Sequence, residues 1–242
     1  MSWTEQIFRY CERGADPAFW AEPVNALSNA AFLIAAASAA RTYLRKPRGE
    51  RGLVEAGLIL LVAMMGGGSF LFHTFATRWA SYADTGPIGL FMLAYLGYSL
   101  RRYFSSPWLV VIAVLAAFAG TLRLAASLQC APALLPVTAA AGAGCLNGTA
   151  GYVPAFIAML GLGIALAALR HPVWRHFLVA SAIFALSMTL RTLDLELCAA
   201  ILVAGRSIGT HGAWHILNAT LLYVLLIGAI RHGSPARTAT GR

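Results

Sequence analysis

Charge is what this chain has least of. Only 11% of its 242 residues are Asp, Glu, Lys or Arg, against roughly 25% in an ordinary soluble domain, and 59% are hydrophobic. That balance excludes a water-soluble globular fold. The apolar stretches also lack the roughly 10-residue alternation of a membrane β-barrel. They are continuous Leu/Ala/Val runs, which satisfy their own backbone hydrogen bonds in lipid only as helices. No CxxC pair exists, so a zinc site built from cysteines is not expected. Repeats, low-complexity tracts and a second domain are absent. The segment Met1–Glu22 contains charges and no apolar core, so a detachable signal peptide is not expected and the first span should start insertion itself.

What is there are apolar runs of about 20 residues, the length that crosses roughly 30 Å of hydrocarbon. They fall at about 24–43, 53–75, 82–100, 107–127, 152–170, 173–193 and 210–230. The expectation is an all-α membrane protein, a seven-transmembrane helix bundle forming one domain over residues 1–242. An amino-terminal segment covers 1–23, the bundle 24–230 and a tail 231–242. The basic residues set its orientation. Arg41, Arg45, Lys46, Arg48 and Arg51 follow the first span, Arg101 and Arg102 the third, Arg170 and Arg175 the fifth, and Arg231, Arg237 and Arg242 the last. These segments are expected in the cytoplasm, with the amino terminus outside. The net charge of +9 is thus a matter of topology; nucleic acid binding would need a basic stripe on a polar face.

The cysteines agree with that orientation. Cys11, Cys130, Cys145 and Cys198 all fall on the expected outer side, where disulfides persist. Two bridges are expected, with Cys130–Cys145 favoured as one by their shared loop, and four unrelated buried thiols are the alternative.

Polar groups within the spans carry the functional signal. The stretch GGGSFLFHTFATRWASYAD places Ser69 and His73 four apart on one helix face, and a hairpin at about 76–81 brings Asp84 back beside them. THGAWHIL places His211 and His215 four apart at the start of the last span. Taken singly, Ser69 can bond its own helix, a histidine can bridge helices, and Asp84 can pair with Arg78. Together they form a polar set at one depth in a medium where ionisable groups are costly and usually functional. Three neutral imidazoles match a catalytic zinc whose fourth position stays open to water. His73, His211 and His215 are the expected ligands. Asn25 and Asn29 share a face of the first span and are placed to reach this cluster. Arg191 can pair with Asp194 or Glu196. GGG at 66–68 is read chiefly as a helix-packing device.

These motifs resemble the alkaline ceramidase family, within a larger group of seven-span metal hydrolases. The family pattern is a serine, a histidine four later, an aspartate eleven after that, and HxxxH on the last span, matched here by Ser69, His73, Asp84, His211 and His215. CER at Cys11–Arg13, FWAEPVNALSN at Phe19–Asn29 and DLELC at Asp194–Cys198 are similar to the family's other signatures, whereas 105–190 contributes hydropathy alone. The resemblance implies zinc-dependent hydrolysis of the amide of ceramide, or of a related membrane lipid, to a fatty acid and a sphingoid base. It implies Asp84 as acid/base and Ser69 as hydrogen-bond donor to the carbonyl oxygen. It also implies a Cys11–Cys198 bridge, leaving Cys130 with Cys145, and a calcium site at Glu12 and Glu22. Here Arg9 stands where the family has an aspartate and Gly14 where it has an asparagine. A solvated acidic loop, with Asp16, is the alternative to calcium. The site is expected near the outer face of a multi-pass protein, a bacterial inner membrane being favoured over the endoplasmic reticulum or Golgi. No obligate protein partner is expected. A lipid ester hydrolase, or a receptor-like relative that binds without turnover, are the rival readings.

Overall fold

In a computed structural model of the chain, residues 2–129 and 144–233 are described. The architecture is all-helical apart from a two-residue antiparallel hairpin, β1 (Leu202–Val203) and β2 (Arg206–Ser207). The helices are α1 (Pro23–Ser28), α2 (Ala30–Leu44), α3 (Leu53–Phe75), α4 (Arg78–Arg102), α5 (Trp108–Ser127), α6 (Val153–Ala168), α7 (Trp174–Leu193) and α8 (His211–His232). The seven apolar runs read from the sequence correspond to α1 with α2, then α3 to α8. The first is a single span, Pro23–Leu44, broken only at Asn29, which ends α1 and begins α2. Among the described residues, six helices are long and apolar enough to cross a membrane, which marks an integral membrane protein. The helix outside that set is α4, whose 25 residues include Arg78, Asp84 and Pro87.

The bundle closes through α8. It packs on α7, α2, α1 and α3, while α3 packs on α2 and α4, and α7 on α6. Of its most apolar stretch 61% is buried, against 6% for α5, so α8 is the axis and α5 faces outward. Leu221, Leu225, Leu226 and Ile230 of α8 meet Leu58 and Val62 of α3 and Phe177 and Ala180 of α7 in one continuous core.

The α3–α4 hairpin is tighter than the sequence implied. Ala76 takes a left-handed conformation (φ 51°) and closes α3, and Thr77 leads directly into α4. Asp84 therefore lies in the second turn of α4 rather than at its start. The amino-terminal segment straps this turn down. Ile7 N–H donates to Ala76 O at 2.6 Å, and Arg78 N–H donates to Glu5 O at 3.0 Å. Within the GGG run the three glycines differ. A Cβ on Gly68 would fall 2.0 Å from the Ala83 carbonyl oxygen, whereas one on Gly67 would meet nothing within 4 Å. Gly68 is thus the point where the backbone of α4 touches α3, one residue from Ser69 and next to Asp84. Gly66 similarly admits α2, near the Asn29 carbonyl and Phe32.

Thermal unfolding of purified protein in detergent tests this contact. Gly68→Ala must push α4 away and is expected to lose about 1–3 kcal/mol, as overpacked cores do. Gly67→Ala, in open space on the same helix, is expected to be neutral or stabilising by up to about 1 kcal/mol. Equal effects of the two substitutions would show that the α3–α4 approach does not depend on Gly68.

Candidate functional site

His73 closes α3, and His211 and His215 open α8, so two helix ends bring three imidazoles together. Their ring centroids are 4.5 to 5.1 Å apart, and one ring nitrogen from each lies within 4.8 Å of the others. All three side chains are buried. The hydrogen bonds around them determine which nitrogens remain available. His73 Nδ1 donates to Glu22 Oε2 at 2.5 Å, and its Nε2 is buried without a partner among the described residues. Ser28 has one hydroxyl proton, which it gives to the Asn25 carbonyl at 2.8 Å. It must then accept from His215 Nδ1, also at 2.8 Å, which leaves Nε2 of that ring unprotonated. His211 Nδ1 is buried with no partner among the described residues. Three unprotonated or orphaned imidazole nitrogens converging in a buried space fit a zinc-type metal, and the Glu22 and Ser28 contacts are the outer-sphere bonds that such ligands normally make.

Ser69 and Asp84 join this group from α3 and α4. Both are buried, and the Ser69 hydroxyl interacts with the Asp84 carboxylate. Arg78, the partner the sequence offered Asp84, donates to Glu5 Oε2 at 2.9 Å. Asp84, Ser69, His211 and His215 line one end of a cavity of about 120 Å³. Most of its remaining wall is apolar, including Met65, Phe91, Leu162, Phe177, Leu222 and Leu225, with Arg191 and Asn218 as polar exceptions.

Glu12 and Glu22, the residues of the expected calcium site, are both engaged in hydrogen bonds within the protein. Both Glu12 oxygens are taken by the start of α1, accepting from Val24 N at 2.7 Å and Asn25 N at 2.8 Å. Burial raises the Glu12 carboxyl above its ordinary range, against those two bonds. Glu22 accepts from Arg13 Nε at 2.6 Å, Asn25 Nδ2 at 3.0 Å and His73. Burial alone would raise this carboxyl; the hydrogen bonds from His73, Arg13 and Asn25 outweigh it and lower it. The positive charge in the loop is Arg13 itself, fully buried at its side chain. It donates to the Asp16 and Ala18 carbonyls and to the His73 and Thr74 carbonyls at the end of α3. A guanidinium thus sits among these carbonyl oxygens, at a helix C-terminus that favours a cation.

Several supporting residues escaped the sequence reading. Tyr10 stacks on His211 with centroids 3.8 Å apart, and burial pushes its hydroxyl up to about 12. Asp194 accepts from Cys11 N, Thr210 N and His211 N, capping α8 from the end of α7. It does not pair with Arg191, which donates to the Tyr10 hydroxyl. Gly209, at φ +61°, is required beside it, because a Cβ there would overlap the Asp194 carboxylate and the Cys11 side chain. The Cys11–Cys198 disulfide joins the same place. The expected Cys130–Cys145 bridge involves Cys130, which lies outside the described residues. Asn25 does reach the cluster, through Glu22. A face of polar residues at 25, 28 and 29 in an otherwise apolar helix was the available signal for Ser28.

Metal analysis of purified protein checks the site. His73→Ala, His211→Ala and His215→Ala are each expected to lose bound metal. Glu22→Gln and Ser28→Ala are expected to weaken its affinity by about 10- to 100-fold in chelator competition. Full retention in the triple histidine variant would disprove the assignment.

Among curated proteins, none matches the chain. A family model described as Ceramidase matches residues 9–237, a stretch that begins two residues before Cys11 and contains every residue of the site. The chain belongs to the ceramidase family.

Proposed function

We propose that this protein is a seven-span, zinc-dependent amide hydrolase that cleaves ceramide or a related N-acyl lipid into a fatty acid and a sphingoid base. The observation that carries the reading is the convergence of three imidazoles, two of which line a mostly apolar cavity together with Ser69 and Asp84. A lipid tail matches that cavity, and the family points to an amide. Helix α4 is the seventh span: at 25 residues it is about 37 Å long, enough to cross the bilayer. Its Asp84 is tolerated because it is buried against the site rather than exposed to lipid. With basic loops in the cytoplasm the amino terminus is outside, so the site lies toward the outer leaflet.

In this mechanism His73, His211 and His215 hold the metal. When bound, zinc would supply Lewis-acid polarisation of the amide carbonyl and activation of water. Glu22 and Ser28 fix the His73 and His215 rings with Nδ1 protonated, which keeps Nε2 of each directed at the metal position. Ser69 donates its hydroxyl to the carbonyl oxygen as negative charge grows there. Asp84 takes a proton from the attacking water and returns it to the leaving nitrogen. The apolar wall holds the acyl chain and excludes bulk water, which strengthens both polar interactions. Arg13 supplies the fixed positive charge next to Glu22, so no calcium is needed.

Fatty acid release from ceramide in mixed micelles, with metal content and thermal stability measured on the same preparations, tests the roles. Asp84→Asn is expected to keep its metal and fold while losing about 10²–10⁴-fold in kcat, and Ser69→Ala up to about 10³-fold. Near wild-type release from a folded, metal-loaded Asp84→Asn variant would remove the catalytic aspartate. A calcium-selective chelator is expected to leave the rate unchanged and a zinc chelator to abolish it. Loss of activity with the first, restored by calcium, would contradict the role given to Arg13.

A further inference from the structure

A second cavity, of about 450 Å³, adjoins the first between the segment at Arg9–Tyr10, α4, α5, the turn at Asn147–Tyr152 and the end of α7. Tyr10, Ile88, Met92, Tyr152 and Arg191 line both cavities, so the two communicate at the site. Its character differs from the first. Here an exposed second guanidinium, Arg9, joins Arg191 in the lining, together with Gln129 and Asn147. Arg191 is held over the rings of Trp214, Tyr152 and Tyr10 at 5.3, 5.5 and 5.6 Å. Of its five N–H donors, one meets the Tyr10 hydroxyl, and Nε is buried without a partner. Arg9 has no hydrogen bond or ion pair among the described residues. Among the described residues one acid, Asp194, lines the cavity, its two oxygens taken by three backbone N–H groups, while Asp84 of the first cavity interacts electrostatically with both arginines.

An arginine left short of acceptors in a polar cavity needs a ligand that provides them. We propose that the second cavity is a headgroup subsite, and that the preferred substrate is an N-acyl lipid carrying an anionic phosphate-type group bound by Arg9 and Arg191. The placement rests on the hydrolase reading above. With the acyl chain in the apolar cavity and the carbonyl at Ser69 and the histidines, the amine side of the amide points toward Tyr10, Tyr152 and Arg191, and its polar head enters the second cavity. A carboxylate on the released fatty acid offers similar oxygens, but it would start on the acyl side, away from Arg9.

Two measurements on the purified full-length protein test this. The first compares fatty acid release from N-acyl sphingoid lipids that differ only in a free hydroxyl, a phosphate monoester or a phosphocholine at the head. The phosphate monoester is expected to have a kcat/KM about tenfold or more above the free hydroxyl. That ratio should fall by about tenfold in Arg9→Gln and in Arg191→Gln, and recover in Arg9→Lys. An equal or higher value for the free hydroxyl overturns the inference while leaving the hydrolase intact. The second measures thermal stabilisation of metal-free protein by dodecyl phosphate, dodecanoate and dodecanol. Stabilisation by dodecyl phosphate that is lost in Arg9→Gln is expected. Stabilisation by dodecanoate alone would assign the arginines to the fatty acid product and overturn the headgroup reading. Because this arm needs no turnover, it decides the subsite even if none of the lipids is cleaved, a result that would instead refute the hydrolase.

Discussion

The Glu22 carboxylate is the interaction on which the site depends. One of its oxygens is bound by Arg13 and the other by His73 and Asn25, so a single buried group ties the amino-terminal loop, α1 and the end of α3 together. In a mostly apolar bundle such a charge is costly unless it is fully paired. Here it is, and Arg13 spends its remaining donors on carbonyls of the loop and of the last turn of α3. The arrangement turns a desolvated ion pair into a mount for a histidine. It fixes the imidazole tautomer of His73 and leaves the opposite nitrogen free.

Around this mount, three separate contacts converge on the same end of the bundle. Gly68 lets α4 touch α3 and brings Asp84 to Ser69. Asp194 caps the first turn of α8, holding His211 in place, and its other oxygen accepts from Cys11. The Cys11–Cys198 disulfide closes the same junction covalently. The amino-terminal segment is therefore a structural part of the centre, since Tyr10, Cys11, Glu12 and Arg13 each bond or stack against a helix that carries a functional residue.

The two adjoining cavities divide the tasks a lipid hydrolase must perform. An apolar wall suits a chain, while the arginine-lined space suits a polar head, and the reactive groups stand where they meet. Aromatic rings make that junction. Tyr10 stacks on His211 and lies under Arg191, coupling the position of a proposed metal ligand to that of the proposed headgroup contact.

The seven apolar runs were legible from composition because lipid admits only segments that satisfy their own backbone, and hydrophobic length is a local property of a sequence. The i, i+4 spacings of Ser69 with His73 and of His211 with His215 were legible for a similar reason, since helical periodicity alone puts such pairs on one face. The candidate metal ligands and acid/base residues could therefore be named before any packing was known. The roles of Glu12 and Glu22 could not. Two carboxylates in a loop read equally well as calcium ligands or as a solvated patch, and only the path of the folded chain, which buries Arg13 between them and the end of α3, made one a helix cap and the other a histidine anchor. Arg191 is the same kind of case: its neighbours in sequence suggested Asp194, but the cap of α8 claimed that carboxylate and left the guanidinium facing a cavity. Spacing along one helix is written in the order of residues, whereas the partner of a buried charge depends on which distant segments reach it first with compatible geometry.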